Sequence, residues 1–94
     1  MDKLELFNAV INKARPASNG EVKANSLDNN VSEIGVDSLD LIMISIYFSE
    51  IYGVSEETAK TLEPKTVREF FELYEANSTK NPQSIKEAIG NIEF

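Results

Sequence analysis

The chain has 94 residues, 41% of them apolar, which suits one small globular domain and is too apolar for a disordered tail. It contains no cysteine and no histidine, which excludes disulfides, thiol nucleophiles, Cys/His metal sites and Ser-His-Asp catalysis. A net charge of −7 disfavours nucleic acid and anionic membranes as partners, and it suits either plain solubility or steering toward basic protein surfaces. No apolar run could span a membrane and the acidic start is unlike a signal peptide, so we expect a cytoplasmic protein.

The first predicted helix follows Asp2, a suitable N-cap, with Glu5 three residues later as the second member of a capping box. Apolar residues then recur at helical spacing: Leu4, Phe7, Val10 or Ile11, and Ala14. The helix should end at Arg15, because a residue before proline is pushed out of the helical region.

A long polar segment from residue 16 to residue 37 follows the first helix. Connections of this length tend to be functional or to cover part of the core. Its expected anchors are its apolar residues: Val22, Leu27, Val31 and Ile34. No strand-like alternation appears in the chain, so the predicted fold class is all-α.

The second predicted helix runs from about Ser38 to Tyr52 and is apolar on nearly every side. Such a helix lies at the centre of a fold or forms part of an interface. Gly53 follows it, where a left-handed residue commonly ends a helix.

Two shorter helices are predicted next. Ser55 can cap a third helix that reaches about Leu62, and Pro64 can occupy the first turn of a fourth. The fourth helix carries an apolar stripe: Val67, Phe70, Phe71 and Tyr74.

The chain then becomes polar from Asn77 to Pro82, as in a linker. Ser84 and Glu87 have capping-box spacing, which predicts a short fifth helix. That helix would dock either on the domain or on a partner.

The candidate functional site lies at the beginning of the second helix. Ser38 is at the helix N-terminus, where free backbone N–H groups and the helix dipole would stabilise a phosphodiester on its hydroxyl. Gly35 allows a tight turn just before it. On these few residues alone, a simple helix cap at Asp37 or Ser38 is the commoner interpretation.

The wider context resembles the acyl carrier protein family, the phosphopantetheine-binding four-helix domains. The family signature Leu-Gly-x-Asp-Ser-Leu is matched, with Ile in its first position, by Ile34-Gly35-Val36-Asp37-Ser38-Leu39-Asp40. Helix order, size and acidity agree over residues 1–76. The resemblance implies an all-α, four-helix carrier bundle with a long first loop at 1–76, followed at 77–94 by a linker and a C-terminal helical extension.

The resemblance also implies a function. Ser38 would receive 4′-phosphopantetheine from coenzyme A through a separate magnesium-dependent phosphopantetheinyl transferase, and Asp37 would help to form the cofactor-binding surface. The thiol of the arm would carry acyl or aminoacyl groups as thioesters to acyl-loading, acyl-transfer or condensing enzymes. The pathway would be fatty acid or polyketide biosynthesis or another specialised route. The chain would then be a monomeric carrier and not itself an enzyme.

Partner-binding residues are expected on the second helix. Leu39 and Ile42 would contribute to the docking surface or to the core beneath it. The family's acidic stripe corresponds here to Asp40, Met43, Tyr47 and Glu50. Exposure of Met43 and Tyr47 would favour apolar docking by a specialised set of partners, whereas packing under the long loop would make them core; both remain open.

A sheltering space for the acyl chain between the helices is a further hypothesis. Its candidate wall residues are Ile44, Phe48, Phe70 and Phe71. Plain core packing is the stronger interpretation of these four side chains.

Other functions are weighed against the carrier. One is a helical interaction domain with a carrier-like fold and no prosthetic group. Another is an enzyme that uses only carboxylates, such as Glu33 and Asp37. A calcium loop beginning at Asp28 would need Gly at position 33 and Glu at position 39, but the chain has Glu33 and Leu39, so no metal site is predicted.

Overall fold

A computed structural model describes residues 2–15 and 22–92 of the chain, and these residues contain five α-helices. They are α1 (Lys3–Ala14), α2 (Ser38–Tyr52), α3 (Glu56–Ala59), α4 (Val67–Ala76) and α5 (Ile85–Gly90). These ranges contain no strand, only an isolated antiparallel bridge between Asn30 and Thr66, so the all-α prediction is confirmed. None of the helices in these ranges has the length and apolar character needed to cross a bilayer.

Local capping sets most of the helix ends as the sequence predicts. The Asp2 side chain accepts a hydrogen bond from the backbone N–H of Glu5 at 3.1 Å, and α1 ends before an extended Arg15. Gly53 ends α2 in the left-handed region, with φ of +65°. Ser55 caps α3, which stops at Ala59 and is therefore shorter than predicted.

The fourth helix begins at Val67, so the prediction that Pro64 lies in its first turn is wrong. The Thr66 hydroxyl accepts from the backbone N–H of Glu69 at 3.1 Å, and the Glu69 carboxylate accepts from the backbone N–H of Thr66 at 3.3 Å. This reciprocal capping box satisfies two N–H groups at the helix end, which a proline in the first turn does not do. The Thr-x-x-Glu spacing was readable from the sequence.

Helix α2 lies at the centre of the fold, where it contacts each of the other four helices. Its Phe48 is fully buried, and its ring centroid lies 5.3 Å from that of Phe70 and 5.2 Å from that of Phe71, both on α4. Phe7 of α1 completes the cluster, 5.7 Å from Phe48. Burying each of these rings stabilises the fold by about 1.5–3 kcal/mol.

The described part of the long loop, residues 22–37, is held by hydrogen bonds to α1 and to α4. All four predicted anchors contact the core: Val31 is buried, and Val22, Leu27 and Ile34 are partly buried. The Asn8 side chain on α1 hydrogen-bonds both the N–H and the carbonyl of Ala24, at 2.7 and 3.0 Å. The backbone N–H of Arg68 on α4 donates to the carbonyl of Leu27 at 2.8 Å. The segment leading to α2 is therefore held against the helices.

The C-terminal extension docks on the domain itself. Ala88 of α5 and the following Ile92 are 0% and 4% exposed and belong to the same core as α1, α2 and α4. The backbone N–H groups of Thr79 and Lys80 both donate to the carbonyl of Tyr52, at 2.9 and 3.0 Å. The extension thus covers the C-terminal end of α2, the helix that begins at Ser38.

Candidate functional site

The N-terminus of α2 is capped by Asp37, not by Ser38. An Asp37 carboxylate oxygen accepts from the backbone N–H of Asp40 at 2.8 Å, and an Asp40 carboxylate oxygen accepts from the backbone N–H of Asp37 at 3.2 Å. The turn before this capping box contains Gly35, with φ of +99°, a conformation that L side chains rarely adopt. The choice between the two candidate caps is therefore settled in favour of Asp37.

Ser38 is the first residue of α2 and its side chain is exposed. Among the described residues, its hydroxyl makes no hydrogen bond. Within the same residues, the backbone N–H groups of Ser38 and Leu39 also have no acceptor, as expected for the first turn of a helix. The site combines a free hydroxyl with free N–H donors at the positive end of a helix.

Asp40 is buried, contrary to the expectation of an exposed acid at the start of a partner-binding stripe. It is 5% exposed, and its carboxylate pairs with the guanidinium of Arg15 as well as accepting from the Asp37 N–H. Asp40 is the third residue after the N-cap, a position from which a carboxylate points back toward the N-terminus of the helix, and there it contacts Arg15. Asp40 therefore stabilises the turn that carries Ser38.

An exposed apolar ridge runs down α2 from the residue after Ser38. We define it by three side chains at i, i+3 and i+7, namely Leu39, Ile42 and Ile46, which are 67%, 57% and 45% exposed. The expected stripe lies one position further around the helix and is half-buried: Met43, Tyr47 and Glu50. Tyr47 packs against the core. The most exposed apolar surface next to Ser38 is thus the ridge.

A surface groove of about 670 Å³ lies beside the ridge, between α2 and α3. Ile42 and Ile46 line it from α2, and Ala59 lines it from α3. Glu56 and Lys60 stand at its charged edge and form an exposed ion pair at 3.9 Å. The groove is a mostly apolar channel whose α2 wall begins one turn after Ser38.

The candidate wall residues of an internal acyl site are core residues, so the interpretation as plain core packing is confirmed. Ile44, Phe48, Phe70 and Phe71 are each at most 1% exposed. The aromatic rings pack against one another rather than around a space, and none of these side chains lines the groove between α2 and α3.

The two carboxylates considered for catalysis are both exposed, and that of Asp37 is engaged in capping α2. In the described ranges, no three Asp, Glu, His or Cys side chains are grouped so that they could hold a metal ion.

Comparison with known proteins identifies no relative. No family model matches the sequence, and no curated protein or solved structure is significantly similar to the chain. Any functional assignment therefore depends on this chain's own residues and geometry.

Proposed function

We propose that this chain is an acyl-carrier-type protein that bears a 4′-phosphopantetheine arm on Ser38 and presents tethered acyl or aminoacyl groups to partner enzymes. The observation that carries the proposal is that Asp37, and not Ser38, caps α2. The Ser38 hydroxyl is exposed and has no hydrogen bond among the described residues. Serine is a preferred N-cap residue, but Asp37 occupies that position here, so the hydroxyl of Ser38 is left available for modification.

The residues at the start of α2 suit a phosphodiester. The backbone N–H groups of Ser38 and Leu39 have no acceptor in the described part of the chain, and the helix dipole favours an anion at this end. The neighbouring Asp37 carboxylate would repel a phosphate, but it is bonded to the backbone N–H of Asp40 at 2.8 Å. The donor set and the accessible hydroxyl therefore fit the group.

In the proposed modification, the Ser38 hydroxyl oxygen attacks the phosphorus of coenzyme A nearest the pantetheine. A new phosphorus–oxygen bond forms, the bond to 3′-phosphoadenosine 5′-phosphate breaks, and the hydroxyl proton passes to a base of the transferase. The chain supplies only the nucleophile, which agrees with its lack of histidine and cysteine. Once attached, the arm supplies a thiol that holds acyl groups as thioesters, and the tether raises their effective concentration at each partner.

The apolar ridge is the proposed docking surface for the transferase and for acyl-loading, acyl-transfer or condensing enzymes. It starts beside Ser38 and exposes three large aliphatic side chains, which favour association by apolar contact. The half-buried Met43, Tyr47 and Glu50 would contribute along its flank. We expect the KM of a transferase for this chain to change little between low and high salt and to rise several-fold in Ile46→Ser. A steep salt dependence would contradict apolar docking.

Intact mass after incubation with coenzyme A, magnesium and a broad-specificity transferase tests the modification. The wild type should gain one phosphopantetheine group, and Ser38→Ala should gain none. Ser55→Ala is the matched control, because Ser55 is another exposed serine at a helix start, and it should be modified like the wild type. A wild type that stays unmodified, or a modified Ser38→Ala, would refute the proposal.

An unmodified interaction domain is the second candidate, and the exposed ridge favours it too, because such a surface can bind a partner without any prosthetic group. The modification experiment separates the two functions, because an interaction domain without a prosthetic group predicts a wild type that stays unmodified. The interaction domain also predicts partner binding that is lost in Ile46→Ser and kept in Ser38→Ala.

A further inference from the structure

We infer that Arg15 is a positioning residue that holds the first turn of α2 in the geometry that presents Ser38. As far as it concerns the modification reaction, this inference rests on the proposed carrier function. It goes beyond that function by assigning the orientation of Ser38 to the C-cap residue of α1.

One guanidinium group contacts the chain on both sides of Ser38. Arg15 is the residue at the C-terminal end of α1, and its Nη1 pairs with the carboxylate of Asp40, two residues after Ser38. The same nitrogen makes a long hydrogen bond, 3.5 Å, to the carbonyl oxygen of Gly35, three residues before Ser38. Arg15 thus bridges the turn that leads into α2 and the first turn of the helix itself.

Burial makes this bridge effective. The side chains of Arg15 and Asp40 are only 10% and 7% exposed, so their attraction is weakly screened by solvent. Ser38, between the two bridged points, is exposed and makes no side-chain hydrogen bond in the described ranges. Its orientation is therefore set by its neighbours and not by contacts of its own.

The bridge acts through the capping box. The Asp40 oxygen that pairs with Arg15 also accepts from the backbone N–H of Asp37 at 3.2 Å. Arg15 therefore holds the carboxylate that closes the cap. Without Arg15 we expect the first turn to open more often, so that a transferase has to order Ser38 before the attack, which lowers kcat/KM.

The decisive variant removes the guanidinium link but retains the cap. In Arg15→Met/Asp40→Asn, the asparagine oxygen can still accept from the backbone N–H of Asp37, and no uncompensated charge is left buried. The matched control is Arg68→Met/Asp28→Asn, which neutralises the ion pair that ties the long loop to α4. That pair is 51% and 77% exposed and contacts neither side of Ser38.

Amide hydrogen exchange and modification kinetics are measured on both variants, with coenzyme A and a broad-specificity transferase as the probe. In Arg15→Met/Asp40→Asn, exchange at residues 40 and 41 should accelerate at least about tenfold while the amide of Phe48 in the core keeps its protection. The kcat/KM for modification should fall about tenfold. The control should match the wild type in both measurements. In Arg15→Lys, kcat/KM should fall less than in the double variant, because lysine keeps the positive charge opposite Asp40 but cannot make the contacts to both Asp40 and Gly35.

Wild-type exchange at residues 40 and 41 in the double variant, or an unchanged kcat/KM, would overturn the inference. If the wild type itself is not modified, the carrier function fails, and the exchange result alone decides whether Arg15 orders the turn. If the double variant does not fold, Arg15→Lys decides: faster exchange confined to the first turn supports the inference, and wild-type exchange contradicts it.

Discussion

The hydroxyl of Thr79 lies directly over Gly53 and donates a hydrogen bond to its carbonyl oxygen at 2.6 Å. A Cβ on Gly53 would stand 2.2 Å from that hydroxyl oxygen. The C-terminal extension therefore closes one end of α2, while Asp37 and Asp40 close the end that carries Ser38. The central helix is therefore held at its start by a local capping box and at its end by tertiary contacts.

Gly53→Ala should lower the free energy of unfolding by about 1–3 kcal/mol. A left-handed L residue costs about 1–2 kcal/mol, and Thr79 must also move away from the new methyl group. Gly90→Ala is the control, since no described residue lies within 4 Å of a Cβ added there and the φ of Gly90 is not positive; it should be neutral or stabilise by up to about 1 kcal/mol. Urea unfolding of both variants makes the comparison, and equal effects would show that the Gly53 geometry is not the cause.

Ser38→Ala should change the free energy of unfolding by less than about 0.5 kcal/mol, because its hydroxyl bonds nothing in the described structure. Ser55→Ala should cost about 1 kcal/mol, because the Ser55 hydroxyl accepts from the backbone N–H of Thr58 at 3.2 Å. Thermal or urea unfolding of the unmodified proteins measures both values. A comparable loss in Ser38→Ala would mean that this serine has a structural role after all.

Ile92→Ala should destabilise the protein by about 2–4 kcal/mol, because Ile92 is 4% exposed and its removal leaves a cavity in the shared core. Ile46→Ala makes the same chemical change on the exposed ridge and should cost less than about 1 kcal/mol. The comparison by urea unfolding tests whether the extension after residue 76 contributes to one cooperative unit. A negligible effect at Ile92 would show that the extension is only loosely attached.

Alkaline pH should destabilise the wild type through Tyr52. Burial, reinforced by the negative charge of Glu75, raises the pKa of the Tyr52 phenol well above its ordinary value. The folded state then keeps a proton that the unfolded chain releases near pH 10, so stability is complete below about pH 10 and declines as the pH rises further. In Tyr52→Phe this decline in the free energy of unfolding should be weaker between about pH 9 and 11.

The same substitution has a second expected outcome at neutral pH. The Tyr52 hydroxyl is buried without a hydrogen-bond partner in the described residues, so Tyr52→Phe should leave stability unchanged or raise it by up to about 1 kcal/mol. A loss of more than about 1 kcal/mol at pH 7, measured by urea unfolding, would indicate that the hydroxyl is bonded in solution.

Helix ends were predictable where neighbouring residues set them. Asp2, Gly53, Ser55 and Ser84 act within three or four residues of themselves, and each lies at the helix end that the sequence indicates. The start of α4 is predicted wrongly, because the prediction depends on Pro64 and leaves out the capping box formed by Thr66 and Glu69. Both signals lie within the same few residues.

The exposed face of α2 was not predictable in this way. Apolar residues occur all around the helix, so its periodicity does not identify the side that faces solvent. Packing of α1, α3, α4 and α5 against it leaves the ridge of Leu39, Ile42 and Ile46 outside and turns the neighbouring stripe partly inward. The burial of Asp40 has a similar origin, because its partner Arg15 is 25 residues away in the chain.

The local pattern of residues was therefore sufficient for the all-α class, the capped helices and a serine at the mouth of an apolar helix, because hydrogen bonds between near neighbours create these features. The exposed ridge, the pairing of Arg15 with Asp40 and the docking of the extension on α2 depend on contacts between distant segments. Such contacts form only when several helices share one core, so the spacing of residues along the chain does not predict them.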